Sequence, residues 1–326
     1  MAKKDPKKIL FKKSEEVNAK EISVPDYKSI SFDKFINSFE GIGFQASNLG
    51  KAIKIINKMK EENATIYFGF TSNIVSSGLR DIITQIVKKN QVNAIVTTAG
   101  GIEEDIIKVH KPFFLGTFEP NDSKLRSRGI NRIGNIFVPN ERYIWLESFI
   151  HPLLKRLYKE GKRINSVEFC KELAVELERK KIRNRASSFI YQAYKNKIPV
   201  ICPSIVDGAI GGGIFFFKQD YPDFSIDITD DKVFLDKLTL NAEKLGVIIL
   251  GGGLAKHFIL NSALMREGFD YGVYVSTGVK EDGSISGAYP EEALSWGKAR
   301  KESNYTNVFC DATIAFPLIA KGSLLK

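Results

Sequence analysis

Cysteine is scarce in this chain of 326 residues, and the three present, Cys170, Cys202 and Cys310, are widely separated. That spacing offers neither a disulfide framework nor a CxxC metal motif, and a reducing compartment suits it best. Long apolar runs are also missing. The longest, residues 246–255 and 312–320, fall well short of the roughly 20 residues that a membrane-spanning helix needs. No secretory signal is read at the start, so a soluble, cytoplasmic protein is expected. Internal repeats and Ser- or Pro-rich linkers are absent, and the lysine-rich start is the one low-complexity stretch. Neither GxGxxG after the first strand nor a GxxxxGKS or GxxxxGKT run occurs, which excludes the usual dinucleotide fingerprint and the P-loop.

What is present is a 43% hydrophobic composition that can bury a large core, and a formal charge of +10. Such a charge raises nucleic acid as a partner, but its distribution argues against one. Lysines concentrate in Lys3 to Lys13 and in Lys155 to Arg185, where glutamates are interleaved as on a solvated helix and no aromatic platform accompanies them. The glycine-rich segments, by contrast, carry Glu103, Glu104, Asp105, Asp207, Asp282, Glu291 and Glu292. A basic chain has acidic stretches suited to something cationic.

Apolar, β-branched runs at residues 65–70, 93–97, 135–138, 199–202, 225–228, 246–250, 272–276 and 307–310 read as buried strands. Helical periodicity separates most of them, over 77–89, 141–158, 166–180, 186–196, 230–244 and 254–266. Alternation of this kind predicts an α/β fold: a doubly wound, mainly parallel, Rossmann-like sheet with helices on both faces, its ligands beyond the carboxyl ends of the strands. The expected organisation is a basic N-terminal extension over 1–26 and a single catalytic domain over 27–326, with a helical insertion at about 147–185.

Four of the strand ends run into small-residue turns: 71–78, 97–101, 207–213 and 251–253. Small residues let backbone amides approach phosphates, and a following helix N-terminus favours anions, so a dinucleotide is the natural guest. A glycine turn after a strand is common in any α/β protein, and each segment alone says little; four together say more. A second signal is Lys298, which follows Glu291, Glu292 and Trp296. A lysine attacks carbonyls or imines when its amine is partly neutral, and an apolar neighbour such as Trp296 favours that state. The plainer alternative is a surface lysine at a helix end. His110 and His151 have no such context and read as structural, and Lys256 is given no role.

With these segments assembled, the chain resembles the deoxyhypusine synthase family. The likeness runs from Gly43-Phe44-Gln45-Ala46 through Thr71-Ser72-Asn73, the 97–105 stretch, Ile130-Asn131-Arg132-Ile133-Gly134-Asn135 and Asp207-Gly208, and continues through residues 250–257 to Ser295-Trp296-Gly297-Lys298 and Asp311-Ala312. It covers about residues 27–320. The resemblance implies a Rossmann-like fold that binds NAD without GxGxxG. It also implies a transferase reaction in which NAD takes a hydride from spermidine and Lys298 displaces diaminopropane from the resulting imine. The aminobutyl group then passes to one lysine of the translation initiation factor 5A precursor, and the hydride returns. A homotetramer is implied as well, and no metal.

Carried over position by position, the resemblance makes Lys298 the covalent lysine and His257 the proton acceptor. Glu103, Asn261, Tyr274, Gly283, Ser286, Glu292 and Trp296 fall on or beside substrate positions. Ser72, Ser76, Thr98, Ala99, Gly100, Glu104, Asp207, Thr277, Asp282 and Asp311 fall on NAD-contacting positions. In two places this chain departs from well-known eukaryotic members, having Gly212 and Ile285 where they carry an aspartate that grips spermidine. Lost charges facing a polycation leave room for a different amine donor, such as agmatine. A homospermidine synthase-like transferase, which hands the group to putrescine, is the alternative.

Overall fold

The computed structural model describes residues 6–326, apart from the side chain of Ile9; the residues before Pro6, including part of the lysine-rich start, lie outside it. In chain order, α1 (Pro6–Leu10), α2 (Phe32–Ser38) and α3 (Phe44–Glu61) precede β1 (Thr65–Phe70). Then come α4 (Ser72–Ser76), α5 (Leu79–Lys88), β2 (Ala94–Val96) and α6 (Ala99–His110). A short excursion holds β3 (Phe114–Leu115), α7 (Asp122–Ser127), β4 (Ile130–Ile133) and β5 (Ile136–Pro139). Helices α8 (Glu141–Lys159), α9 (Ser166–Arg179) and α10 (Phe189–Asn196) lead to β6 (Val200–Ile201), α11 (Ala209–Asp220) and α12 (Ile228–Leu240). The chain closes with β7 (Leu245–Leu250), α13 (Gly253–Ala263), β8 (Phe269–Ser276), α14 (Pro290–Ser295), β9 (Ala299–Phe309) and α15 (Ala312–Gly322).

Six strands form one sheet in the order β6-β2-β1-β7-β8-β9, and every neighbouring pair is parallel. Counted along the sheet's own strands, that is the 3-2-1-4-5-6 order of a doubly wound dinucleotide fold, with its reversal between β1 and β7. All six residues of β7 are buried. Its alternation serves two cores: Ile248 and Leu250 join Phe68, Phe70 and Phe316 on one face, while Val247 and Ile249 join Tyr67, Ile259 and Ala293 on the other. A strand buried on both sides has no need of polar alternation, which is why these segments read as continuous apolar runs.

Two expected strands differ. Residues 135–138 do form a strand, but in a separate antiparallel sheet of order β3-β5-β4. Residues 225–228 are not a strand at all: Asp227 caps α12 by accepting from the backbone N of Thr229, and that local bond outweighs the brief apolar alternation around it. Helix α11 had no periodic signature because Gly211, Gly212 and Gly213 occupy its first turns. Helices α8 and α9 contribute Phe149, Leu153, Phe169 and Leu173 to the larger core.

A buried carboxylate joins three of the helices. Asp105 of α6, with no exposed surface, accepts from Arg80 Nε at 2.7 Å, from Ser188 Oγ at 2.5 Å, and from the backbone N of Phe189 and Ile190 at 3.2 Å each. It thus pairs with α5 and satisfies the amino end of α10. Replacing Asp105 leaves the buried Arg80 with only the exposed Asp81, 3.2 Å away, and breaking such a buried pair costs about 3–5 kcal/mol. Asp105→Ala is therefore expected to lose stability on that scale in denaturant titration, and a loss below about 1 kcal/mol would contradict this account.

Candidate active site

Parallel strands must be joined by helices that return across the sheet. Helices α13 and α14 both make that return, after β7 and β8, so both run from the carboxyl edge toward the amino edge, and both pack on the same face. Between them lies a cleft of about 410 Å³. It is lined from α13 by Lys256, His257, Leu260 and Asn261, with Leu264 just beyond, and from α14 and its flanks by Ala288, Tyr289, Glu292, Ala293 and Trp296. The two sets share one spacing, i, i+1, i+4, i+5 and i+8; on α13 this is a single helical face, whereas on the other wall only Glu292 and Ala293 lie within α14, with Ala288 and Tyr289 before it and Trp296 after it. Gly283, Ile285 and Lys298 complete the lining. The stripe from Lys256 to Leu264 climbs about 12 Å at 1.5 Å per residue, so the cleft is elongated along α13.

Of the residues expected from the sequence, the catalytic pair His257 and Lys298 and the substrate positions Asn261, Gly283, Glu292 and Trp296 meet in this cleft. Lys298 stands at its foot, immediately before β9, and not beyond a strand's carboxyl end as the general rule for such sheets predicts. Its backbone is fixed on both sides, N to Ala293 O at 2.8 Å and O to Phe269 N at 3.1 Å. The side chain is 8% exposed, with Nζ 5.3 Å from the centre of the largely exposed Trp296 ring.

His257 Nδ1 lies 3.1 Å from Asn261 Nδ2, one turn further along α13. With the amide turned to present its oxygen instead, the same contact would fix the proton on Nδ1 and leave Nε2 free to accept one. Partial desolvation, and then the Lys298 ammonium, hold the imidazole below its usual pKa.

Three substrate positions do not line the cleft. Tyr274 lies beneath it, buried, its ring 4.6 Å from Lys256 Nζ and its hydroxyl without a partner. Ser286 instead braces the turn before α13, its Oγ accepting from Gly253 N at 3.1 Å; Gly252 must be glycine there, since a Cβ would meet Ser286 Cα at 2.3 Å. Glu103 is buried against α11, accepts from Ile210 N at 3.0 Å and is held above the usual carboxylate range by burial. Residues given no site role by sequence reasoning also line the cleft: Lys256, Tyr289 and the apolar walls Leu260, Leu264, Ala288 and Ala293. The helical spacing along α13 was visible, but which segment it faces was not.

The positions expected to contact a cofactor gather along the carboxyl edge of the sheet: Ser72 and Ser76 after β1, Thr98, Ala99, Gly100 and Glu104 after β2, Asp207 after β6, Thr277 and Asp282 after β8, and Asp311 after β9. Gly100 lets α6 approach α4, because a Cβ there would stand 2.7 Å from Ser72 Cβ. Thr98 Oγ1 at the start of α6 is shielded from solvent and has no partner. Asp207, Thr277, Asp282 and Asp311 are exposed. The last two are also turn and cap residues, accepting from Ser284 N and Thr313 N at 2.7 Å each. Ser76 Oγ donates to Glu104 Oε2 at 2.5 Å, yet burial still pushes Glu104 up to about 7. Lys108, tied to the carbonyls of Val75, Ser76 and Ser77, is pushed down to about 8 by the same burial. Among the described residues, no group of three or more His, Cys, Asp or Glu side chains could hold a metal ion, and no helix is long and apolar enough to cross a membrane.

A doubly wound α/β scaffold with a lysine-bearing cleft on one face and small-residue turns along its carboxyl edge defines a Rossmann-type enzyme class. Comparison with known proteins narrows this: the deoxyhypusine synthase profile matches residues 34–323, and the chain belongs to that family. It is 46% identical over 327 residues to a probable deoxyhypusine synthase of Thermococcus gammatolerans, covering 97% of each chain. A Methanocaldococcus jannaschii protein of the same description is also 46% identical, over 95% of this chain and 98% of its own. Among solved structures, a candidate deoxyhypusine synthase from Entamoeba histolytica superposes with a TM-score of 0.68 at 28% identity, covering 93% of this chain and 97% of that one.

Two titrations follow from this geometry. Folded Glu104 keeps its proton up to about pH 7, whereas its ordinary value is 4.5, so the folded state holds the extra proton between them. Stability is expected to fall as pH rises through that window, by up to about 3 kcal/mol, and Glu104→Gln to flatten the fall in denaturant titrations. An identical slope in the variant would exclude Glu104 as its source. For His257, removing the nearby cation in Lys298→Met is expected to raise the imidazole pKa in NMR titration; a fall would contradict the assigned contact.

Proposed function

We propose that this protein is an NAD-dependent deoxyhypusine synthase, moving the aminobutyl group of spermidine to one lysine of the translation initiation factor 5A precursor by way of an imine on Lys298. The observation that carries the reading is the convergence of Lys298, His257, Glu292 and Trp296 on one elongated cleft between two helices.

The carboxyl edge fits a dinucleotide. Thr98 Oγ1 offers an unused hydrogen-bonding group at the amino end of α6, Gly100 keeps that end open beside Ser72, and backbone N–H groups of the first turn suit a pyrophosphate. Glu104, Asp207, Asp282 and Asp311 are the carboxyl groups available to ribose hydroxyls, with Ser72, Ser76, Ala99 and Thr277 beside them. When bound, NAD supplies the acceptor for the substrate's hydride and later its source.

The chain's own residues account for the rest. Glu292 is the one carboxylate lining the cleft and attracts an ammonium group of the polyamine. His257, kept neutral near physiological pH by its surroundings, receives a proton as charge on nitrogen changes. Asn261 orients its ring. Lys298 Nζ, once deprotonated, bonds to the aminobutyl carbon as diaminopropane leaves, and the fixed backbone on both sides of Lys298 keeps that amine at the foot of the cleft. Trp296 covers it from solvent on one side. Gly283 lines the cleft beside them and Ser286 and Tyr274 support it from outside the lining, while a substrate role for Glu103 rests on the family resemblance alone. A cytoplasmic homotetramer belongs to the same reading.

The test is incubation with NAD and spermidine, with and without unmodified factor 5A, followed by borohydride trapping and peptide mass spectrometry. Aminobutyl mass is expected on Lys298 and, when the factor is supplied, on the factor's lysine. Lys298→Arg is expected to abolish the adduct and lower turnover by about a thousandfold or more. Mass on a different enzyme lysine would overturn the mechanism, and transfer to putrescine in preference to the factor would establish the homospermidine-type alternative.

A further inference from the structure

Lys256 is the least expected occupant of the cleft. It lies in the second turn of α13, a place where a lysine ordinarily reaches solvent, yet it is 1% exposed. Its Nζ donates to Ala288 O at 2.5 Å and sits 4.6 Å from the centre of the Tyr274 ring. Glu292, on α14, is the acidic group whose field it feels, and burial pushes it down to about 8. Burying an ammonium is costly unless its hydrogen bonds and charge are answered, so this one is retained at the expense of stability.

Its partner, Ala288, closes a tight segment. Gly287 N and Ala288 N both donate to Ser284 O, at 3.0 and 3.2 Å, and Tyr289 and Pro290 then open α14. The segment is pinned to the start of α13 by Ser286 Oγ, which accepts from Gly253 N at 3.1 Å, and to α13 proper by Lys256. Downstream of it come Glu292, Trp296 and Lys298; on α13, beside Lys256, stand His257 and Asn261. Lys256 is therefore the direct hydrogen-bonded strut between the two walls of the cleft at the level where the chemistry is placed.

We propose that Lys256 is a positioning residue, whose ammonium ties the 283–289 segment to α13 and thereby sets where Glu292 stands relative to His257. The strut is a property of the fold, while its effect on turnover rests on the synthase reading above. Removing the ammonium frees Ala288 O inside an apolar wall, and the segment leading into α14 opens to find another donor. The polyamine then meets a displaced Glu292, so its binding suffers first.

The test compares wild-type full-length protein with Lys256→Met, which fills the space without a donor, and Lys256→Gln, which keeps an uncharged donor. Hydrogen exchange followed by mass spectrometry is expected to quicken about tenfold or more in peptides spanning 284–296 of Lys256→Met, with the central strands unchanged. Lys256→Gln is expected to lie nearer wild type. In steady-state assays, KM for spermidine is expected to rise about tenfold in Lys256→Met, with kcat within about threefold. Unchanged exchange in 284–296, acceleration spread evenly over the sheet in both variants, or a loss confined to kcat would each overturn the proposal. Failure of the synthase reading is separate: it shows as no adduct in the wild type, whatever the exchange result.

Discussion

Parallel pairing is the constraint from which the rest of this structure follows. Six parallel strands cannot be joined by tight turns, so each connection must cross back over a face of the sheet, and the crossing helices bury that face. Helices that return between successive strands on one face run in the same direction. For α13 and α14 this sets the stripe of α13 beside α14 and the chain on either side of it, and the groove between them is the candidate site. The same rule puts the loops after β1, β2, β6, β8 and β9 on one edge, where the small-residue turns can serve a single extended ligand. One constraint thus creates two kinds of site, a groove down a face and a row of turns along an edge.

Charge is managed differently in the two places. At the edge, buried acids are held by specific partners: Asp105 by Arg80 and the amino end of α10, Glu103 by the start of α11, Glu104 by Ser76. These contacts fix α6, and with it the turn from Thr98 to Gly100, in one orientation. In the groove, two lysines and a histidine share one lining carboxylate, Glu292. Burial favours the neutral amine of Lys256 and, with the Lys298 cation beside it, the neutral imidazole of His257, which suits chemistry on nitrogen. Of the two positions where the resemblance led an aspartate to be expected, Ile285 adds apolar wall to the groove, whereas Gly212 lies outside its lining and faces open space.

Much of the fold was legible because buried parallel strands and amphipathic helices leave strong periodic marks. Strands β1, β7 and β8 and helices α8 and α9 fall where the pattern placed them, within a few residues. The failures have local causes. The cap at Asp227 converted an apparent strand into a helix start, and the glycines of α11 hid a helix that packing supports. The run at 135–138 had the right conformation but the wrong partners, since nothing in four residues specifies which sheet they join.

The doubly wound class, the small-residue turns, and the motif set that makes Lys298, His257 and the 97–105 segment recognisable can all be read along the chain. These depend on local spacing and on side-chain chemistry, which a linear string records. Only the tertiary structure decided that Lys298 stands at the amino end of β9, that Ser286 and Tyr274 support the site without lining it, and that Lys256 turns inward to bridge two helices. Those facts depend on which surfaces meet across the sheet, and contacts between residues distant in sequence leave no periodic trace along the chain.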